Sequence, residues 1–184
     1  MAGDWPVLDE HYQDSKNGGF FMTGDDHETL LARKKPARDG AEPSGNSVAL
    51  MNLLRLHELT SDDRYRAGAE RLLAGFGPAI GGRPTDLPEM LLALDFWLDR
   101  PREIVIVTAG PRRDAEPFLE VLRRTYLPNR VMIVVPESGP GNELHAGLVP
   151  LIQGKVARNG RATAYVCERG VCQRPTNEVR VFAR

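Results

Sequence analysis

The chain has 184 residues, of which 41% are hydrophobic and 27% charged, and its formal net charge is -1. That length suits one domain or two small ones, and the composition is that of a globular protein. The near-neutral balance excludes a general pull toward nucleic acid or an anionic membrane, and no apolar run approaches the ~20 residues that span a bilayer.

The first residues, Met1-Ala2-Gly3-Asp4-Trp5-Pro6, lack a basic segment followed by an apolar stretch. No secretory signal is read there, and a cytoplasmic location is the expectation. Residues 1–46 are polar and turn-rich. Gly18-Gly19-Phe20-Phe21-Met22-Thr23 reads as a turn feeding a short strand, and Leu30-Leu31-Ala32-Arg33 as its return. The hairpin tip between them, Asp25-Asp26-His27-Glu28, concentrates metal-ligand types. Consecutive residues on a tip cannot all point at one ion, so a solvated turn is the plainer reading and no metal site is assigned.

The segment Asp39-Gly40-Ala41-Glu42-Pro43-Ser44-Gly45-Asn46-Ser47 runs into the apolar stretch Val48–Leu59. Gly, Pro and short polar residues in that density make a tight loop ahead of a helix start, with Asn46 or Ser47 as the cap. The plain reading is a capped turn. The sharper one makes Asp39, Ser44 and Asn46 part of a ligand-cavity wall.

Residues 47–98 are helical. In the first helix Val48, Met51, Leu54 and Leu59 share a face that Leu50, Leu53 and Leu56 widen. Thr60-Ser61-Asp62-Asp63 starts a second helix, which Gly75 and Gly77-Pro78 are expected to stop. Leu87, Met90, Leu91, Leu94 and Leu98 mark a third, with Pro88 tolerated in its first turn. His57 lies beside Glu58 on the first helix, more readily a flank of the core than a base. Asp95 stands beside Phe96 and Trp97, where an acid next to aromatic faces suits a sugar site. A glycosidase needs a second carboxylate at a set distance, which the sequence does not supply.

At Pro101 the pattern changes. Glu103–Thr108 and Val131–Val135 are β-branched runs of buried-strand type, with a helix from Asp114 to Tyr126 between them. This is a βαβ unit, whose parallel strands require a crossover. The turn after the first strand, Thr108-Ala109-Gly110-Pro111-Arg112-Arg113, lacks the glycine pattern of a dinucleotide site, and no cofactor motif occurs elsewhere. Arg112 and Arg113 could meet an anion at the helix start or simply be exposed charges. Gly139-Pro140-Gly141 begins a loose connection, after which His145 has no evident partner. Thr163–Cys167, the turn Glu168-Arg169-Gly170 and Val171–Gln173 form a hairpin, and Val179–Phe182 is assigned to an edge strand.

Cys167 and Cys172 are the two cysteines, too few for a disulfide scaffold or, alone, for a zinc site. They flank the hairpin turn, within bridging reach if the strands pair there. Their spacing is not the two-residue spacing of redox motifs, and in a cytosolic protein reduced, partly buried thiols are the expectation. The organisation is therefore mixed α/β: residues 1–100 form a hairpin and three helices, and residues 101–184 a βαβ-based sheet with a C-terminal hairpin.

Several phrases fall in one order: Gly18-Gly19-Phe20-Phe21, Asp25-Asp26-His27-Glu28, Asp39–Ser47, Leu92-Ala93-Leu94-Asp95-Phe96-Trp97-Leu98, Tyr126-Leu127-Pro128-Asn129 and Ala164-Tyr165-Val166-Cys167. As an ordered set, from about Leu8 to about Pro175, they resemble the C-terminal part of the YyaL family, which includes the spermatogenesis-associated, thioredoxin-domain-containing proteins. The resemblance implies an N-terminal thioredoxin-like domain and an (α/α)6-barrel region similar to N-acylglucosamine 2-epimerases and six-hairpin glycosidases, of which this chain has the last hairpin and helices. It implies no particular cofactor and transfers no catalytic residue. Three functions are carried forward. One is a noncatalytic module that self-associates or joins a separate thioredoxin-like or barrel partner. Another is a carbohydrate-active enzyme on a small-molecule sugar, with Asp39, Asp95 and His27 as candidate site residues. The last is a thiol redox role through Cys167 and Cys172.

Overall fold

A computed structural model describes residues 8–139 and 147–182; His145 and most of the loop beginning at Gly139 lie outside the described residues. The fold is mixed α/β and divides into two compact units, Met1–Leu54 with Asp62–Asp95, and Arg55–Ser61 with Phe96–Arg184.

The helical layer consists of α1 (Gly45–Thr60), α2 (Asp63–Gly82) and α3 (Pro88–Leu98). A closed (α/α)-barrel is not present among the described residues. On α1 the buried positions are Asn46, Ser47, Leu50, Leu53 and Leu54, whereas Val48 is exposed. The buried face thus runs through Asn46, Leu50, Leu53 and Leu54, rotated away from Val48. Asp62 caps α2, its carboxylate accepting the Arg64 N–H at 2.9 Å. The helix does not stop at Gly75 or Gly77-Pro78 but runs through them to Gly82. Gly75 serves approach rather than termination: a Cβ there would sit 2.2 Å from the Asn17 carbonyl oxygen. Gly18, with φ +73°, makes the reciprocal contact with the Arg71 carbonyl.

The expected hairpin over residues 18–33 does not form. No strand lies there among the described residues. The chain turns earlier, with an isolated antiparallel bridge between Gln13 and Phe20; across the segment the Met22 N–H donates to the Lys34 carbonyl at 2.8 Å and the Arg33 Nε to the Thr23 carbonyl at 3.0 Å. Met22, Leu30 and Leu31 are exposed, so the segment has no apolar face to bury as a ladder. The turn is held instead by Asp14, whose carboxylate accepts the N–H groups of Lys16 and Asn17 and the Lys35 ammonium at 2.7 Å. The Lys35 contact, then the Asn17 N–H, holds that carboxyl far below its ordinary range despite its burial.

In the second unit β1 (Arg102–Thr108), α4 (Glu116–Arg124) and β2 (Arg130–Pro136) form the βαβ unit, with β1 and β2 parallel and in register from Arg102↔Arg130 to Thr108↔Pro136. A single 3-10 turn, Arg112–Ala115, precedes α4. The sheet continues with β3 (Thr163–Glu168), antiparallel to β1, and β4 (Val171–Cys172), giving the order β2-β1-β3-β4. β1 lies between two neighbours and is buried from Glu103 to Thr108, as its unbroken β-branched run requires. Ile104 and Ile106 face Phe118 and Leu122 of α4; Val105 and Val107 face Ile152 and Tyr165 on the other side of the sheet.

Val179–Phe182 is a short helical turn, α5, and not an edge strand. The Thr176 hydroxyl accepts the Glu178 N–H at 3.0 Å and opens that turn. Phe182 then meets Phe118 edge to face, with ring centroids 5.2 Å apart. The chain bridges to the sheet at Ala164↔Thr176 before Val179 and Phe182 pack against the cluster of Phe118 and Leu122 with the sheet residues Ile104, Ile106 and Ala164.

Candidate functional site

The loop from Asp39 to Ser47 is internally bonded. Asp39 accepts the Ser44 N–H on Oδ1 at 2.8 Å and the Glu89 N–H on Oδ2 at 2.9 Å, while its own N–H donates to the Asp86 carbonyl. One carboxylate thus closes its own loop and caps the first turn of α3. Burial alone would raise its pKa; the Ser44 N–H, the Ser47 hydroxyl and the N–H groups of Glu89 and Met90 overcome that and hold it below the ordinary carboxylate value.

The cap of α1 is Ser44, neither Asn46 nor Ser47. Its Oγ accepts the Ser47 N–H at 3.1 Å and lies 2.9 Å from the Ser47 Oγ. Asn46 points elsewhere: Oδ1 accepts the Phe20 N–H at 2.7 Å, and Nδ2 donates to the carbonyls of Phe20 at 3.0 Å and Pro36 at 2.8 Å. The amide therefore pairs with the backbone of Phe20 as a neighbouring strand would. Asp39, Ser44 and Asn46 are all buried. His27 is exposed on its bend, its Nε2 3.8 Å from an Asp26 oxygen. Asp95 is exposed on α3.

At the tip, Asp25 and Asp26 come together with His11, and one ligand atom from each of the three lies within 4.8 Å of the others. The Asp25 carboxylate, 2.9 Å from the His11 ring, is the main reason its imidazole pKa is raised. His11 is fourteen residues away, so no local spacing could have shown this pairing. Arg112, an anion candidate, donates to the Val134 carbonyl at 3.2 Å.

The cysteine hairpin is the second polar feature. Arg169 and Gly170, with φ of 51° and 76°, supply the two left-handed residues of a tight turn, and Cys167 and Cys172 are directly opposite each other. They are joined as a disulfide, in place of the reduced thiols expected from the sequence. Strand pairing brings their Cα atoms to 3.9 Å, a juxtaposition that a six-residue span permits only when the turn is this tight. Cys167 is buried and Cys172 exposed. Across the sheet from Cys167 stands Glu103, a buried carboxylate that accepts the Gly170 N–H at 3.2 Å. Lys155 donates to the Leu151 carbonyl and sits 5.8 Å from the Tyr165 ring; burial lowers its pKa, against the opposing charge of Glu103.

Two polar features on a mixed α/β frame define the chain as a small α/β protein with a saturated loop and a disulfide hairpin. No known family model matches it. It is similar to spermatogenesis-associated protein 20 of Rattus norvegicus, 34% identical over 173 residues, which is 94% of this chain and 22% of that protein. The Homo sapiens protein of the same name is 33% identical over 171 residues, again 22% of its length. An uncharacterised protein of Caenorhabditis elegans is 25% identical over 167 residues. The chain spans about a fifth of the length of these curated relatives. No helix among the described residues is long and apolar enough to cross a membrane.

Proposed function

We propose that the chain is a noncatalytic module, the counterpart of the C-terminal part of spermatogenesis-associated protein 20, and that it works by associating with thioredoxin-like and barrel parts of the kind the family resemblance implies. The observation that carries this reading is the engagement of Asp39, whose two oxygens accept the N–H groups of Ser44 and Glu89. A general acid or base must hold or release a proton at a substrate. A carboxylate saturated by backbone donors is kept ionised and is a poor candidate for that work. Similarity over nearly all of this chain but a fifth of each relative supports a modular role. In this reading α1–α3 correspond to helices of the relatives' barrel region, and the exposed Val48 and Leu92 belong to a surface that a partner or a second copy covers.

The test has two arms. Sedimentation velocity of the full chain mixed with the remaining four-fifths of the rat relative is expected to show a complex. Titration of the isotope-labelled chain with millimolar glucose or N-acetylglucosamine is expected to leave its amide resonances in place. Saturable shifts confined to residues 39–47 would overturn the reading in favour of a carbohydrate-active protein, and sedimentation as independent species would remove the association.

A further inference from the structure

The hairpin of β3 and β4 is asymmetric across its disulfide. The Gln173 N–H donates to the Val166 carbonyl at 2.9 Å, so Val166 and Gln173 are a hydrogen-bonded pair. Cys167 and Cys172, one step further in, are then a non-hydrogen-bonded pair, the position where opposite side chains come closest. β4 is two residues long and ends the sheet, and both its residues are exposed. One sulfur thus belongs to a solvent-facing edge residue and the other to a residue with no exposed surface.

A buried acid accompanies the buried sulfur. Glu103 is the register partner of Cys167 on β1, and directly opposite residues share a face of the sheet. Glu103 is 5% exposed, and its carboxylate accepts the N–H of Gly170, a residue inside the loop that the disulfide closes. A purely structural staple needs neither feature. The loop is short, so cross-linking it removes little freedom from the unfolded chain, and the tight turn already closes it. Burying a carboxylate there is unfavourable without partners, and those it has are the Gly170 N–H and the charge of Lys155.

We propose that Cys167–Cys172 is a thiol–disulfide exchange site, attacked at the Cys172 Sγ by a dithiol, with Glu103 as the proton acceptor for Cys167. In the reducing direction a thiolate of the dithiol bonds to the Cys172 sulfur, the Cys167–Cys172 bond breaks, and Cys167 leaves with the electron pair. The dithiol's second sulfur, as thiolate, then attacks its own first sulfur and releases Cys172. The dithiol is oxidised by two electrons to a disulfide, the cysteine pair is reduced by two, and the dithiol's two protons end on Cys167 and Cys172. In the oxidising direction Glu103 takes the proton of the Cys167 thiol, which attacks a mixed disulfide at Cys172 and expels the partner's thiolate. The proposal goes beyond the module reading and stands without it, since it concerns the sulfur chemistry of the chain and not its association.

Three measurements on the full chain test it. Dithiothreitol is expected to reduce the disulfide, read by alkylation and mass spectrometry, in native buffer with the circular dichroism spectrum retained; a disulfide that resists millimolar dithiothreitol until urea unfolds the chain overturns the proposal. Glutathione disulfide is expected to modify Cys172 in Cys167→Ser about tenfold faster than it modifies Cys167 in Cys172→Ser, because exposure governs access. Equal or reversed rates overturn the choice of attacked sulfur. Glu103→Gln is expected to slow closure of the Cys172–glutathione mixed disulfide by about tenfold or more, with rescue by Glu103→Asp and no change in the rate at which Cys172 is first modified. Unchanged closure in a folded Glu103→Gln chain removes Glu103 from the site, and if that variant does not fold, Glu103→Ala carries the same comparison.

Discussion

The Asp39–Ser47 loop and the Cys167–Cys172 hairpin both gather polar groups in a tight turn, and they use them in opposite ways. In the loop every named side chain is buried and its polar atoms meet backbone groups: Asp39 closes on Ser44 and Glu89, Asn46 on Phe20 and Pro36, Ser44 on Ser47. In the hairpin one sulfur is exposed, and a buried carboxylate that accepts the Gly170 N–H and feels the Lys155 charge stands across from the other. The lesson is that density of polar residues does not mark a site. What separates scaffold from reactive candidate is whether the polar atoms are consumed by the fold or left facing something that can react.

The comparison breaks most readily at Asn46. Replacing it with Ala strands the Phe20 N–H and two carbonyls, and the loss is expected to be about 3 kcal/mol in urea denaturation. A loss under ~1 kcal/mol would mean water substitutes for the amide and the loop is less closed than it looks. Asp39→Ala is next, about 2 kcal/mol, for two orphaned N–H groups and a lost helix cap.

Asp39 also carries a pH signature. Its folded pKa is depressed, so its contribution is present above the unfolded carboxylate value of ~3.9 and is lost as pH falls through the lower folded value. Asp14, depressed chiefly by Lys35, acts with the same sign. Acid titration of stability should therefore show a steeper fall below about pH 4 in the parent than in Asp39→Asn, and parallel curves would contradict the depression.

Outside the loop the effects on stability are smaller. Phe182→Ala should cost about 1 kcal/mol through the edge-on contact with Phe118, and a null effect would favour the edge-strand placement of the C-terminus. Smallest is His11, half-buried beside Asp25. Its titration by proton NMR should lie above the ordinary value near ~6.5 and fall toward it in Asp25→Asn. Because that pKa is raised, the pairing favours the fold below the ordinary value and the benefit is lost as pH rises through the folded one.

Much of the architecture was legible in the residues. The β-branched run Ile104–Val107 announces β1 because a strand buried on both faces must be apolar throughout; the run Val131–Val135 announces β2, which lies at the sheet edge with Met132 exposed, and the helix expected to Tyr126 is α4, which ends at Arg124. Glu168-Arg169-Gly170 announces the hairpin because few residues accept a left-handed backbone. The errors share one cause. Gly75 and Pro78 read as stops because a local rule takes no account of Asn17 packing on the helix. Residues 18–33 read as a hairpin because nothing local reveals that Asn46 takes the backbone of Phe20. Val179–Phe182 has strand-like composition, yet Phe118 offers a better burial than a sheet edge.

By itself, then, the order of residues determined the elements whose signal is carried within a dozen positions: the β-branched strands, the existence of the three helices, the tight turn. Tertiary structure alone decided which polar groups meet. His11 joins Asp25, Asn46 joins Phe20 across twenty-six residues, Asp39 joins Glu89 across fifty, and Glu103 reaches Gly170 across sixty-seven. A hydrogen bond has a reach of about 3 Å and leaves no periodic trace along the chain, whereas apolar burial repeats with the turn of a helix or the pleat of a strand.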